Sequence, residues 1–239
     1  GIITQARANA EFFRQHPLAL SYAPVYSREG VKEMKLVYMP KFSDMYSTSI
    51  IDAISGEALD YNGKPVKKQN QPHAFNDISG HFGAREITLL GQAGLMGEYG
   101  DAFHPYEDVK LVSLLRAMLG IKDGTWALAD LSDAQVMSQA RSRGWLKESL
   151  KPEDVVDRGL MSKLVLRFLD IEYLAGVKDL YRQPFADIGP SHELQGYASL
   201  TWGLNIIKGD GSTFNANHVI SRGEGAVILV RTLQAANRQ

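Results

Sequence analysis

Two arginines stand where helices are about to begin. Arg222 follows Ser221 and Arg158 follows Asp157, and both preceding residue types offer a side-chain oxygen to the unpaired N–H groups of a first helical turn. Glu224 lies three residues after Ser221, the spacing of a capping box, in which the glutamate reaches back to the N-cap amide. A helix N-terminus already favours anions, because its free N–H groups and the aligned peptide dipoles both point outward. A guanidinium placed there matches the planar geometry of a carboxylate in a way an ammonium cannot. The chemistry implied is recognition of a carboxylate-bearing ligand. A structural ion pair at the meeting point of two units of the fold suits the same two arginines equally well, and residue types alone leave both readings open.

Catalytic constellations are harder to assemble. The chain has no cysteine, which excludes disulfides, thiolate metal sites and a thiol nucleophile. His192-Glu193 and His81 stand near the starts of helical stretches, but neither His-Glu-x-x-His nor a serine elbow is present, so no metal set or nucleophile forms from sequence. Gly94-x-x-Gly97-x-x-Gly100 follows a helical stretch rather than a strand, unlike a dinucleotide loop. Gly209-Asp210-Gly211-Ser212 lacks the repeated acidic positions and terminal glutamate of a calcium loop. No cofactor or metal is expected. Trp202 beside Gly203 offers a ring on which a sugar could stack, or a core side chain; Trp126 and Trp145 occupy comparable positions near repeat edges, and Trp126 is expected in the core.

The totals narrow the partners. With 26 Lys+Arg against 27 Asp+Glu the net charge is −1, so no global field draws the chain to nucleic acid. No apolar run of membrane-spanning length occurs, and the first residues, Gly1-Ile2-Ile3-Thr4-Gln5-Ala6-Arg7, lack the layout of a signal peptide. Any export signal is expected outside this chain.

The elements that position the arginines follow from periodicity. Ile3, Ala6, Ala10 and Phe13 mark a short helix closed by Pro17; Leu18–Ser27 and Lys32–Met39 read as a β-hairpin around Arg28-Glu29-Gly30; Ser49–Ala53 reads as a third strand before the turn Ser55-Gly56-Glu57. These give a small helix-plus-antiparallel-sheet domain over residues 1–66. Residues 67–74, polar and containing Pro72, read as a linker.

Beyond the linker one grammar recurs. Phe75-Asn76-Asp77-Ile78 leads through a helical stretch to Gly94, then Gly100-Asp101, Phe103-His104-Pro105 and an apolar helix; Phe185-Ala186-Asp187-Ile188 leads to Gly203, then Gly209-Asp210-Gly211, Phe214-Asn215 and a second such helix. A weaker copy begins at Ala129-Asp130-Leu131 and passes Gly144 and Leu150-Lys151-Pro152. A helix pair of this size cannot bury its own apolar stripe, so three copies must share a core. The fold class is therefore α+β: the small N-terminal domain, then an all-α pseudo-threefold bundle of repeats at 75–122, 123–175 and 176–236.

The pattern Phe-x-Asp-Ile, helix, Gly, Gly-Asp, Phe-x-Pro, helix resembles the S-layer homology family, whose modules come in threes. The resemblance implies attachment to an anionic, possibly pyruvylated, secondary cell-wall polysaccharide held in grooves between repeats. It also implies an extracellular, wall-associated, non-catalytic protein. The second helix of that family opens with Thr-Arg-Ala-Glu. Here Ser221-Arg222-Gly223-Glu224 matches well; Asp157-Arg158-Gly159-Leu160 keeps the cap and the arginine; Lys110-Leu111-Val112-Ser113 has Leu111 in the arginine position, leaving Lys110 as the available charge. The resemblance thus implies a ligand set of Arg222, Arg158, Ser221, Asp157, Glu224, Trp202 and Lys110. Lys35-Leu36-Val37-Tyr38 with Ile51-Asp52-Ala53-Ile54-Ser55-Gly56-Glu57 is similar to PepSY-like domains of the YcdB/YcdC type, which implies a protein partner for the N-terminal part, and an inhibitory role as the alternative to anchoring.

Overall fold

Period-two stretches end near residue 66, and period-3.6 stretches take over from residue 84. The computed structural model has one N-terminal helix, its strands before residue 60, and its remaining helices from residue 84 on. It describes residues 1–27, 30–40, 50–66, 72–128, 131–177, 181–182 and 184–236, with the backbone alone for 21–27, 30–34 and 126. The hairpin turn at Arg28-Glu29, Ser49, most of the linker and the Ala129-Asp130 pair lie outside the described residues, as does the side chain of Trp126.

In the N-terminal part, α1 (Gln5–Gln15) is capped by Thr4, whose hydroxyl accepts the Arg7 N–H. β1 (Leu18–Ser27) and β2 (Gly30–Pro40) form an antiparallel hairpin with Leu20 opposite Tyr38 and a register shift at Val25/Tyr26. The expected third strand does not join it. β3 (Ile50–Ile51) pairs instead with β4 (Ala58–Leu59), a strand not foreseen, in a separate two-stranded sheet. Helix α1 lies against that second sheet: Ile3 donates its N–H to the Ala53 carbonyl, and the Arg7 guanidinium donates to the Ser55 carbonyl. Gly56 turns this hairpin at φ 79°, a left-handed conformation open to glycine.

The rest is helical. The three repeats contribute α2 (Ala84–Gln92) with α3 (Leu111–Asp123), α4 (Asp133–Ser142) with α5 (Arg158–Phe168), and α7 (Gln195–Gly203) with α8 (Arg222–Ala236); a short α6 (Glu172–Ala175) precedes the third pair. Packing is cyclic. The first helix of each repeat lies on the second helix of another: α2 on α8, α4 on α3, α7 on α5. The last repeat therefore closes back on the first, and one continuous core runs through all three, with Leu111, Leu114, Leu115, Met161, Leu164, Phe103, Phe185 and Phe214 fully buried. No single pair could enclose that apolar surface alone.

First helices end alike. Leu95, Trp145 and Ile206 each donate an N–H back to the carbonyl five residues earlier (Leu90, Ala140, Thr201), after a residue at positive φ: Gly94, Gly144 and Asn205. This is a Schellman stop, made once per repeat. In the third repeat the left-handed residue is Asn205, two positions beyond the Gly203 that the sequence suggested.

Candidate functional site

At the centre of the ring the three segments that precede the second helices meet. Val109 donates its N–H to Ile220, Ile220 to Val156, and Val156 to Val109, at 3.0, 2.9 and 3.2 Å. This closed triangle of backbone bonds is the pseudo-threefold axis, and all three side chains are buried. Lys110, Asp157 and Ser221 come next in each segment, and the residues at the family's arginine position, Leu111, Arg158 and Arg222, open α3, α5 and α8.

The helix N-termini are already occupied. In α8 the Arg222 and Gly223 N–H groups donate to the Glu107 and Pro105 carbonyls; in α5 those of Arg158 and Gly159 go to His218 and Ala216; in α3 those of Leu111 and Val112 go to Asp154 and Pro152. The next amide is capped by a side chain in two cases, Glu224 N–H to Ser221 Oγ at 3.2 Å and Leu160 N–H to Asp157 Oδ1 at 2.7 Å. The capping box expected at Ser221 and Glu224 is complete, since the Ser221 N–H donates to Glu224 Oε2 at 2.8 Å. Carbonyls from another repeat stand where a bound anion would otherwise sit.

The two arginines follow the same rule and face inward. Arg222 is 2% exposed. Its Nε donates to the Phe103 carbonyl (2.8 Å), Nη1 to Ser113 Oγ (3.1 Å), and Nη2 to the Met96 carbonyl (2.9 Å) and Glu98 (3.0 Å), with the Tyr99 and Phe103 rings each 4.8 Å from the guanidinium carbon. Arg158, also buried, repeats the arrangement one junction away: it donates to the Phe214 carbonyl and bidentately to Asp210 at 3.0 and 3.1 Å. Each arginine thus bonds the loop of another repeat, at the carbonyl of the equivalent phenylalanine. Of the two readings left open by sequence, the ion pair between units describes where the guanidiniums lie. A buried guanidinium is tolerated because nearly every donor has an acceptor.

Sequence reasoning missed the acceptors. Asp210 is held below the usual carboxylate range by the Arg158 guanidinium. Asp77 accepts the Phe103 and His104 N–H groups, and Asp187 accepts those of Phe214 and Asn215, all at 2.7 to 2.8 Å. Partial burial would push both carboxyls up, but the backbone donors outweigh it and leave them lowered. The readable signal is the Phe-x-Asp-Ile repeat, whose aspartates make this clamp.

Of the remaining expected ligands, Lys110 is exposed and Trp202 half exposed, with its ring 6.5 Å from Phe185. They stand on different repeats. Trp145 is core, packed on Phe168 under Arg143. His81 and His192 precede their first helices, and each Nδ1 accepts an N–H from two residues on. Among the described residues no group of three or more His, Asp or Glu could hold a metal ion, and no helix is long and apolar enough to cross a membrane.

Residues 184–226 match the family described as the S-layer homology domain. No curated protein matches the chain. The matched stretch runs from the segment before Phe185 through the Gly209–Gly211 loop to the first turn of α8, the unit whose Asp187 clamp and Arg222 anchor are described above. Such a domain is a cell-wall-binding module rather than a catalytic one. Residues 184–226 of the chain thus match the S-layer homology domain, a module of surface attachment through cell-wall polysaccharide.

Proposed function

We propose that this chain is a non-catalytic anchor that holds an exported protein at the bacterial surface by binding anionic secondary wall polysaccharide, the pyruvylated kind included. The observation that carries the reading is the match over residues 184–226, set in a ring whose three repeats share one bonding pattern around one axis. Arg158 and Arg222 act here as positioning residues. With Asp157, Ser221 and Glu224 they fix the loops that wall the grooves, while Lys110 and Trp202 remain accessible to the ligand.

Calorimetric titration with purified pyruvylated wall polysaccharide tests the proposal. Saturable binding is expected, weakening as salt rises because exposed charge contacts are screened within about 10 Å at 0.1 M salt. Lys110→Gln is expected to weaken binding with the fold intact. Absence of saturable binding by the parent chain would refute anchoring.

One observation favours a second reading for the N-terminal part. Leu18, Leu20, Leu36 and Tyr38 lie on one face of the β1–β2 hairpin and are each more than half exposed, an apolar surface suited to a protein partner. Deleting residues 1–60 would abolish such a contact and leave polysaccharide binding in place.

A further inference from the structure

Where the N-terminal part joins the ring, His73 is set into the first repeat between the end of α2 and the loop that follows it. Its N–H donates to the Gly91 carbonyl at 2.8 Å, and its ring, 9% exposed, stacks on Phe75 with centroids 5.5 Å apart and planes 8° from parallel. Both walls of this seat need glycine. A Cβ on Gly91 would lie 2.8 Å from the His73 carbonyl oxygen, and one on Gly97 would overlap the His73 ring. The matching stops at Leu95 and Ile206 place Trp202 and Lys208 at the positions of Gly91 and Gly97 in the third repeat, where the Trp202 ring packs edge-on against Phe185. The seat belongs to the first repeat.

Two different parts of the chain meet through it. On one side Arg14, in the last turn of α1, donates to the carbonyl of Pro72 at 3.2 Å, and the charge of Asp101, in the first repeat's loop, acts on the same guanidinium. On the other side Gly97 stands between Met96 and Glu98, whose oxygens accept from Arg222 Nη2 at 2.9 and 3.0 Å. Tyr99 follows, with its ring 4.8 Å from that guanidinium carbon. The segment 96–99 is thus gripped by His73 and by the arginine that opens α8. Gly97 has no side chain with which to fix its own backbone, so the His73 ring supplies the packing that a side chain there would otherwise give.

We infer that residues 72–75 are a strap through which the N-terminal part acts on closure of the ring. Seating of His73 fixes Gly97, which sets the Met96 and Glu98 oxygens, and these hold Arg222 at the junction of the first and third repeats. A partner that moves α1 loosens that junction. The junction between the second and third repeats, which Arg158 closes onto Asp210 and Phe214, is left as it was. Coupling of this kind is reciprocal, so loosening Arg222 also loosens the strap.

Amide hydrogen exchange of the full chain, read residue by residue by NMR, tests the strap. The reporters are the Phe103 and His104 N–H groups on Asp77 and those of Arg222 and Gly223 on the Glu107 and Pro105 carbonyls; the controls are their counterparts at Phe214, Asn215, Arg158 and Gly159. His73→Ala removes the ring, and Gly97→Ala pushes it out of its seat. In each variant the reporters are expected to exchange about tenfold faster, equivalent to about 1.4 kcal/mol of local opening, with the controls unchanged. In His73→Ala/Gly97→Ala the added Cβ meets no ring, so exchange is expected to be no faster than in His73→Ala alone. Equal acceleration of reporters and controls would show general destabilisation, unchanged reporters a passive strap, and additive effects a loop that Gly97 holds without His73; each of these overturns the inference.

Discussion

Replacing Arg222 by leucine, the residue this chain carries at the equivalent Leu111, isolates what the guanidinium contributes. The side chain lost is 2% exposed and donates four hydrogen bonds, to the Phe103 and Met96 carbonyls, Ser113 Oγ and Glu98. Leucine fills part of the volume but donates nothing. Breaking a buried pair from one side costs about 3–5 kcal/mol, because the abandoned partner stays desolvated. Glu98 keeps 24% of its side chain exposed and so can partly rehydrate, which places the expectation near the lower limit, about 3 kcal/mol. At about 2–4 °C per kcal/mol for a chain of this size, Tm should fall by about 6–12 °C. Urea unfolding followed by circular dichroism gives the free energy and calorimetry the Tm. Glu98→Gln in the Arg222→Leu background should recover part of the loss, with a coupling energy above about 1 kcal/mol in the double-mutant cycle. A cost below about 1 kcal/mol, or a strictly additive cycle, would show that Arg222 does not hold the first repeat's loop to the third repeat.

Acid should loosen the module through carboxylates lowered in the folded chain. Burial would push Glu172 up, but hydrogen bonds from Lys147, Arg167 and Tyr197 outweigh it and bring the group down to about 2. Asp77, Asp187 and Asp210 are lowered as well. As pH falls the unfolded chain takes up these protons first, so the stabilisation is present above about pH 4 and is lost toward pH 2; a urea midpoint constant from pH 5 to 2.5 would contradict this. Gly223→Ala should destabilise by about 1–3 kcal/mol, because the added Cβ would lie 2.4 Å from the His81 ring and 2.9 Å from the Pro105 carbonyl oxygen; an unchanged thermal midpoint would mean that the junction has slack.

The repeats were legible because each is written in residues with strong local meaning. Glycines, the Phe-x-Asp-Ile stretch, and the Ser221/Glu224 and Asp157 caps recur at matching offsets, and the Schellman stops at Gly94 and Gly144 fall where the glycines stand. Asn205 escaped notice because asparagine tolerates the left-handed region without announcing it as glycine does. The N-terminal sheet was harder, since residues 58–59 are too short to show alternation and only the pairing with Ile50–Ile51 makes them a strand. The direction of the arginines was beyond sequence. Whether Arg222 faces out or in depends on Met96, Glu98 and Phe103, more than a hundred residues away, being brought to it by α2 packing on α8.

That dependence bears on where a polysaccharide can touch the ring. The first two amides of α3, α5 and α8 are bonded to carbonyls of other repeats, and both guanidiniums are bonded to loops. These are the groups a helix N-terminus and an arginine would normally offer an anion, and here closure of the ring uses them. The framework tolerates Leu111 at the third equivalent position because the backbone triangle and the carbonyl caps persist there without a guanidinium. Under the anchoring proposal, ligand contacts come from side chains outside the framework, such as Lys110 and Trp202, both of them exposed. These are not shared between repeats: Lys110 corresponds to Asp157 and Ser221 in the other two segments. Under that proposal, a pseudo-symmetric frame with unlike rims offers a ligand three different surfaces rather than three copies of the same one.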